Sequence, residues 1–186
     1  MKNKVWIIIA VAFVAIMILA AVLYPKLSEK YSTDEKQNNV SSENVVQADD
    51  FTVYDSEMNK VKLSDYFCKP IVINFWTSWC GPCKSELPAF DAMYEKYGDE
   101  VVFMMINLTD GYNETVNGVK EFVLDSGYSF PVYYDTKYDA ANTYGIYSIP
   151  ETVFINADGS IYYRQLGAMS EKVLENYIKQ MIGEEK

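Results

Sequence analysis

The chain has 186 residues, a formal net charge of −10, three cysteines and no histidine, and 49% of it is hydrophobic. The acidic balance excludes a nucleic-acid binder, whose phosphates need a basic surface. Three cysteines without histidine cannot build a disulfide framework, a four-ligand zinc site or a Cys–His nucleophile pair, so no metal site and no cofactor is expected.

Lys2 and Lys4 precede an uncharged apolar run from Val5 to Tyr24. About 20 apolar residues span a bilayer as a helix. Residues 1–25 are therefore predicted to form an uncleaved signal-anchor, one transmembrane helix. The alternative is a cleaved signal peptide ending near Ala20-Ala21, but the run exceeds a usual signal core. No cysteine near Ala21 offers a lipid attachment point. The first lysines precede the span, which predicts an N-terminus inside. Residues 26–49 are polar and predict a flexible tether with an r.m.s. reach of roughly 25 Å. The folded domain is placed at 50–186.

Phe51 to Tyr54 and Lys60 to Leu63 flank a polar turn and predict a hairpin. A turn at Cys68-Lys69-Pro70 follows. Ile71 to Trp76 is too apolar for a half-exposed strand, so both its faces should be covered. Trp79-Cys80-Gly81-Pro82-Cys83 comes next, and then a helical pattern with Leu87, Phe90, Tyr94 and Tyr97 on one face and a kink at Pro88. Two thiols so spaced at a strand-to-helix junction can close a small reversible disulfide. The first would sit at the helix N-terminus, where amide N–H groups and the helix dipole favour a thiolate.

Val101 to Ile106 predicts a second buried strand and Leu108 to Asn113 an irregular loop. Thr115 to Asp125 predicts a helix with Val116, Val119, Phe122 and Val123 inward. Val132 to Tyr134 reads as a short strand. Lys137 to Tyr144 reads as a short helix ended by Gly145. Thr152 to Ile155, the turn Asn156 to Gly159, and Ser160 to Leu166 read as a second hairpin. Glu171 to Ile182 is a final helix with Leu174, Tyr177, Ile178 and Met181 on one stripe. Alternating strands and helices give an α/β mixed sheet with helices on both faces.

The dithiol with Pro88 behind it, and Ile149-Pro150 just before the strand at Thr152, resemble the thioredoxin superfamily. The sharper resemblance is to membrane-anchored, TlpA/ResA-type extracytoplasmic thiol–disulfide oxidoreductases. Leu63-Ser64-Asp65, Asn74-Phe75-Trp76, Cys83 to Pro88, and Phe154-Ile155-Asn156 followed by Asp158-Gly159 carry it. It covers about residues 50–182. It implies a thioredoxin-like domain with an N-terminal β-hairpin extension and a central insertion. It also implies a single-pass protein of a bacterial cell membrane whose catalytic domain is extracytoplasmic. The expected partners are disulfide-containing exported proteins, apocytochrome c among them, and a membrane thiol-electron carrier of the CcdA/DsbD type as electron donor. A monomer is expected.

In this reading Cys80 is the nucleophile that forms a mixed disulfide and Cys83 resolves it, so Cys80–Cys83 is the redox disulfide. Gly81 and Pro82 fix the active-site turn. The Gly-Pro pair resembles that of reducing thioredoxins, whose potential is near −270 mV. Trp79 is read as a cover and apolar platform for the dithiol. Glu86, one helical turn after Cys83, is identified through the family as a buried acid that relays a proton. Pro150 is identified as the fold's cis-proline, presenting the backbone of Ile149 to an extended substrate.

Three departures stand out. Glu151 replaces a frequent Thr and is expected to alter the substrate groove. Cys68 stands where Gly is common. Asn74 occupies the position where cytoplasmic thioredoxins bury an acid. Three other functions compete with disulfide reduction: a disulfide-forming oxidase, a thiol peroxidase of peroxiredoxin-like type (Thr77-x-x-Cys80), and a metal-carrying or purely binding thioredoxin-like module, which the lack of histidine and the intact dithiol disfavour. Arg164, the only arginine, is far in sequence from the motif a peroxidase would use.

Overall fold

The computed structural model describes residues 46–184. The predicted anchor at 1–25 and most of the tether lie outside the described residues. Among the described residues, no helix is long and apolar enough to cross a membrane.

The elements run β1 (Thr52–Tyr54), β2 (Lys60–Lys62), β3 (Ile71–Trp76), α1 (Gly81–Tyr97), β4 (Val102–Asn107) and α2 (Val116–Ser126). They continue with β5 (Val132–Tyr134), α3 (Asp139–Tyr144), β6 (Glu151–Ile155), β7 (Ile161–Leu166) and α4 (Glu171–Ile182). One sheet holds all the strands in the order β2-β1-β5-β4-β3-β6-β7. β3, β4 and β5 are parallel, and every other pairing is antiparallel. The expected mixed α/β sheet is therefore present. The hairpin β1–β2 extends one edge, and the insertion α2–β5 fills the place between that hairpin and β4.

β3 lies at the centre because its sequence leaves it no other place. All six residues, from Ile71 to Trp76, are buried. Side chains alternate across the sheet. Val72 and Trp76 join one core with Leu87, Phe90, Phe103, Leu174 and Ile178. Ile71, Ile73 and Phe75 join the other with Leu63, Met104, Val153 and Tyr144. Burying each such apolar side chain stabilises the fold by about 1.5–3 kcal/mol. α1 and α4 cover the first face, and α3 lies on the second.

α1 differs from its predicted stripe by part of a turn. Met93 takes the buried position beside Phe90 and Tyr97, and Tyr94 sits half-buried, edge-on to Phe103. The helix continues through Pro88, which faces solvent. There the Lys84 carbonyl, deprived of its helical donor, is within reach of water. In α2 only Val119 is fully buried, with Val116, Phe122 and Val123 packed at the margin. Gly145 ends α3 with φ of 61°, donating its N–H back to Asn142.

The sheet also recruits backbone upstream of the expected domain start at residue 50. Ile161 donates its N–H to the Val46 carbonyl at 2.8 Å, and Ala48 donates to Gly159 at 2.9 Å. Gln47 bridges Ser160. The end of the predicted tether thus pairs with the β6–β7 turn.

Cys68 is a free, exposed thiol in the turn before β3, with its N–H on the Ala157 carbonyl at 3.1 Å. Its φ is 103°, in the region that favours glycine, which explains why glycine is common at that place. A left-handed non-glycine residue costs about 1–2 kcal/mol, against the ~0.5–1 kcal/mol entropic cost of glycine. Cys68→Gly should therefore raise the unfolding free energy by roughly 0.5–1 kcal/mol in denaturant titration. A loss of stability would contradict that reading of the turn.

Candidate active site

The site grows from the end of β3. After Trp76 the chain turns through Thr77, Ser78 and Trp79, closed by Cys80 N–H on the Thr77 carbonyl at 3.3 Å. α1 then begins at Gly81 with Cys80 as its N-cap and a proline in its first turn. Proline fits there because a first-turn N–H has no helical partner. The Cys83 N–H points at Cys80 Sγ at 3.2 Å. The two sulfurs are bonded at 2.04 Å, with Cα atoms 5.2 Å apart. Cys80 is 5% exposed and Cys83 not at all. Cys80 is thus the more accessible of the two sulfurs, and Cys83 lies behind it.

Glu86 lies one turn further along α1, buried at 2% exposure. Its Oε1 accepts from Asn74 Nδ2 at 2.9 Å and its Oε2 from the Met169 N–H at 3.0 Å. The Asn74 amide also donates to Thr152 Oγ1 at 3.1 Å. Removal from water pushes the Glu86 carboxyl above its ordinary pKa, against the pull of the Met169 and Asn74 hydrogen bonds. The strand position of Asn74 thus does receive an acid, delivered by the helix. A buried carboxyl that titrates higher than usual, on the Cys83 face of α1, is equipped to hold a proton near that sulfur.

Ile149–Pro150 is a cis peptide. It brings the Ile149 carbonyl to 3.9 Å from Cys80 Sγ. Glu151 does not enter this groove. Its register with Phe75 turns it to the opposite sheet face, where Arg164 donates to it from Nε at 2.9 Å and from Nη2 at 2.5 Å. Arg164 Nη2 also donates to the Tyr144 carbonyl at 2.7 Å. The pair ties the end of α3 to the start of β6 and brackets the loop that carries Pro150. It also engages the only arginine away from the dithiol, so the cation that a peroxidase reading would seek beside Cys80 is not there.

Trp79 is 61% exposed. It lines a cavity beside Ile149 and presents an open aromatic surface there. Lys84 faces solvent.

The sequence reading passed over Glu114. This carboxylate is 2% exposed and accepts from Ser78 N–H at 2.6 Å, Ser78 Oγ at 2.7 Å and Asn107 Nδ2 at 2.6 Å. It clasps the turn that carries Trp79 and Cys80. The loop that holds it is shaped by Asp110, whose Oδ1 accepts from the N–H groups of Tyr112, Asn113 and Glu114. The available signal was a polar residue, Asn107, ending a buried strand, followed by a turn-rich segment with one glutamate.

Burial of Glu86 makes a pH prediction with a definite sign. Its raised folded-state pKa favours the protonated form, so its contribution is fully present below the ordinary glutamate value of 4.5 and is lost as pH rises through the folded value. Wild type should gain stability relative to Glu86→Gln as pH falls from neutrality toward 4.5, by at most about 1.4 kcal/mol per pH unit. Denaturant midpoints across that range check it, and a difference independent of pH contradicts it.

The comparisons agree with this geometry. Residues 46–164 match the AhpC/TSA family. Thiol-disulfide oxidoreductase ResA of Bacillus thuringiensis is 31% identical over 168 residues, covering 90% of this chain and 93% of that protein. The crystal structure of StoA from Bacillus subtilis superposes with a TM-score of 0.62 at 28% identity, covering 72% of this chain and 98% of that one. A putative thiol:disulfide interchange protein DsbE from Chlorobium tepidum gives 0.67 at 26% identity, covering 77% and 100%. The chain belongs to the AhpC/TSA thioredoxin-fold family, as a thiol–disulfide oxidoreductase of the ResA type.

Proposed function

We propose that the protein is a membrane-tethered, extracytoplasmic reductase of disulfides in exported proteins. The observation that carries the reductive direction is the Gly81-Pro82 pair between the two cysteines, which resembles that of reducing thioredoxins. In the reduced protein the Cys83 N–H and the dipole of α1 stabilise a thiolate on Cys80. The thiolate attacks a substrate sulfur and one cysteine of the substrate leaves. Cys83 then attacks Cys80 Sγ, the second substrate thiol leaves, and the Cys80–Cys83 bond closes. Two electrons and two protons pass to the substrate. Glu86 holds or supplies the proton that Cys83 exchanges, and the Ile149 backbone next to Pro150 offers a short β-type pairing to the bound polypeptide.

The apolar run Val5 to Tyr24 supports tethering, and the ResA-type relatives support the exchange chemistry. Apocytochrome c is one proposed substrate. A membrane thiol-electron carrier of the CcdA/DsbD type is the proposed donor that returns the dithiol to its reduced state.

The reduced protein should catalyse insulin reduction, and Cys80→Ser should abolish it. Cys83→Ser should accumulate mixed disulfides through Cys80 in cells, and their identification by mass spectrometry names the substrates. Equilibration with thiol buffers should place the potential near −270 mV, whereas a value close to the −120 mV of DsbA would reverse the direction.

A further inference from the structure

A cavity of about 190 Å³ opens beside the dithiol, bounded on the Cys80 side by Thr77 and Trp79 and on the cis-proline side by Ile149. Its remaining walls are unusual for an apolar substrate groove. Asp110, Tyr138 and Tyr147 line it together with Trp79. The aromatic rings are open to solvent: Trp79 is 61%, Tyr147 97% and Tyr138 37% exposed. Large aromatic side chains this exposed around a concave site are more often binding surface than unfinished core.

The charge at this cavity has one sign. No lysine or arginine lines it, and none pairs with Asp110 among the described residues. Asp110 is held ionised by the N–H groups of Glu114 and Tyr112 and by Asn113, donors that carry no charge, so its negative charge is uncompensated. Partial burial, and after it the charge of Asp110, hold the Tyr138 phenol above its ordinary pKa and so neutral. Tyr138 has φ of 56°, at the N-cap of α3. A bulky residue in a region that favours glycine is kept there against a conformational cost, and such residues cluster at ligand sites.

Resting on the disulfide-exchange reading above, we infer that this cavity is a specificity pocket for a cationic side chain, Lys or Arg, next to the substrate's reactive cystine. The ammonium or guanidinium stacks on the faces of Trp79, Tyr138 and Tyr147, and Asp110 supplies the counter-charge. Ile149, whose carbonyl lies 3.9 Å from Cys80 Sγ, lines the pocket, and so does Trp79, the residue before Cys80. A segment laid along the Ile149 backbone therefore presents a neighbouring side chain to the cavity while its own sulfur faces Cys80. The substrate class is a basic disulfide-containing polypeptide segment, and the acidic chain as a whole does not repel it.

The test uses full-length protein reduced by dithiothreitol and freed of reductant. Disulfide peptides differ only in the residue beside the cystine: Lys, Gln or Glu. The second-order rate of peptide reduction is measured at low ionic strength. Each event oxidises the protein dithiol and reduces one peptide disulfide. The Lys peptide should react about tenfold faster than the Glu peptide, with Gln between them. Asp110→Asn, which keeps an acceptor for the loop, and Tyr147→Ser, at a fully exposed ring, should each shrink that ratio by about threefold. Equal rates for the peptides in wild type overturn the pocket and leave disulfide exchange standing. A Lys preference that both variants retain also overturns it, by assigning the preference to the general field of the acidic surface. Failure to reduce any peptide removes the exchange reading and this inference with it.

Discussion

One short contact organises the chemistry: the Cys83 N–H on Cys80 Sγ at 3.2 Å. It exists because a strand buried on both faces ends where a helix begins. β3 cannot shift by a residue without exchanging its two cores, since alternate side chains face opposite sides of the sheet. That fixes where Trp76 ends the strand. The three-residue turn then has one way to deliver Cys80 to the N-cap of α1, with the next free amide aimed at its sulfur. The accessibility of Cys80 over Cys83 follows from that placement.

Buried carboxylates hold this junction on several sides, each with a different job. Glu114 grips the turn before Cys80 through Ser78 and joins it to the end of β4 through Asn107. Glu86 connects α1 to β3 through Asn74 and to the segment before α4 through Met169. Glu151 works from the other face of the sheet, where Arg164 joins it to the end of α3. Glu86 lies on the Cys83 face of α1 with a carboxyl lifted by burial, which equips it to exchange a proton there. Glu151 carries a charge-compensated partner and serves position.

The parts legible in the sequence are those set by local pattern. The unbroken apolar run of β3 announced a covered strand, and the amphipathic stripe of α4 predicted its limits at Glu171 and Ile182. The dithiol motif predicted its own helix start. The parts that escaped depend on contacts between distant residues. Helical spacing does not distinguish Met93 from Tyr94 as the buried member of α1, because both lie within one turn of Phe90; packing against β4 decides it. Glu114 reads as one glutamate in a loop until Asn107 and Ser78 converge on it. Glu151, expected in the substrate groove from its place beside Pro150, is carried to the far face by strand alternation. The pairing of Gln47 with Ser160 had no local signal, since a short polar segment reads alike as tether or edge.

The central claim is that the start of α1 makes Cys80 an activated thiolate. Thiolate absorbance of the reduced protein, followed through pH titration with Cys83→Ser and Cys80→Ser variants to assign the transitions, tests it most directly. The account predicts that Cys80 ionises at least about one unit below the ordinary cysteine value of about 8.5, with buried Cys83 ionising higher. A Cys80 that titrates at or above that ordinary value would contradict it.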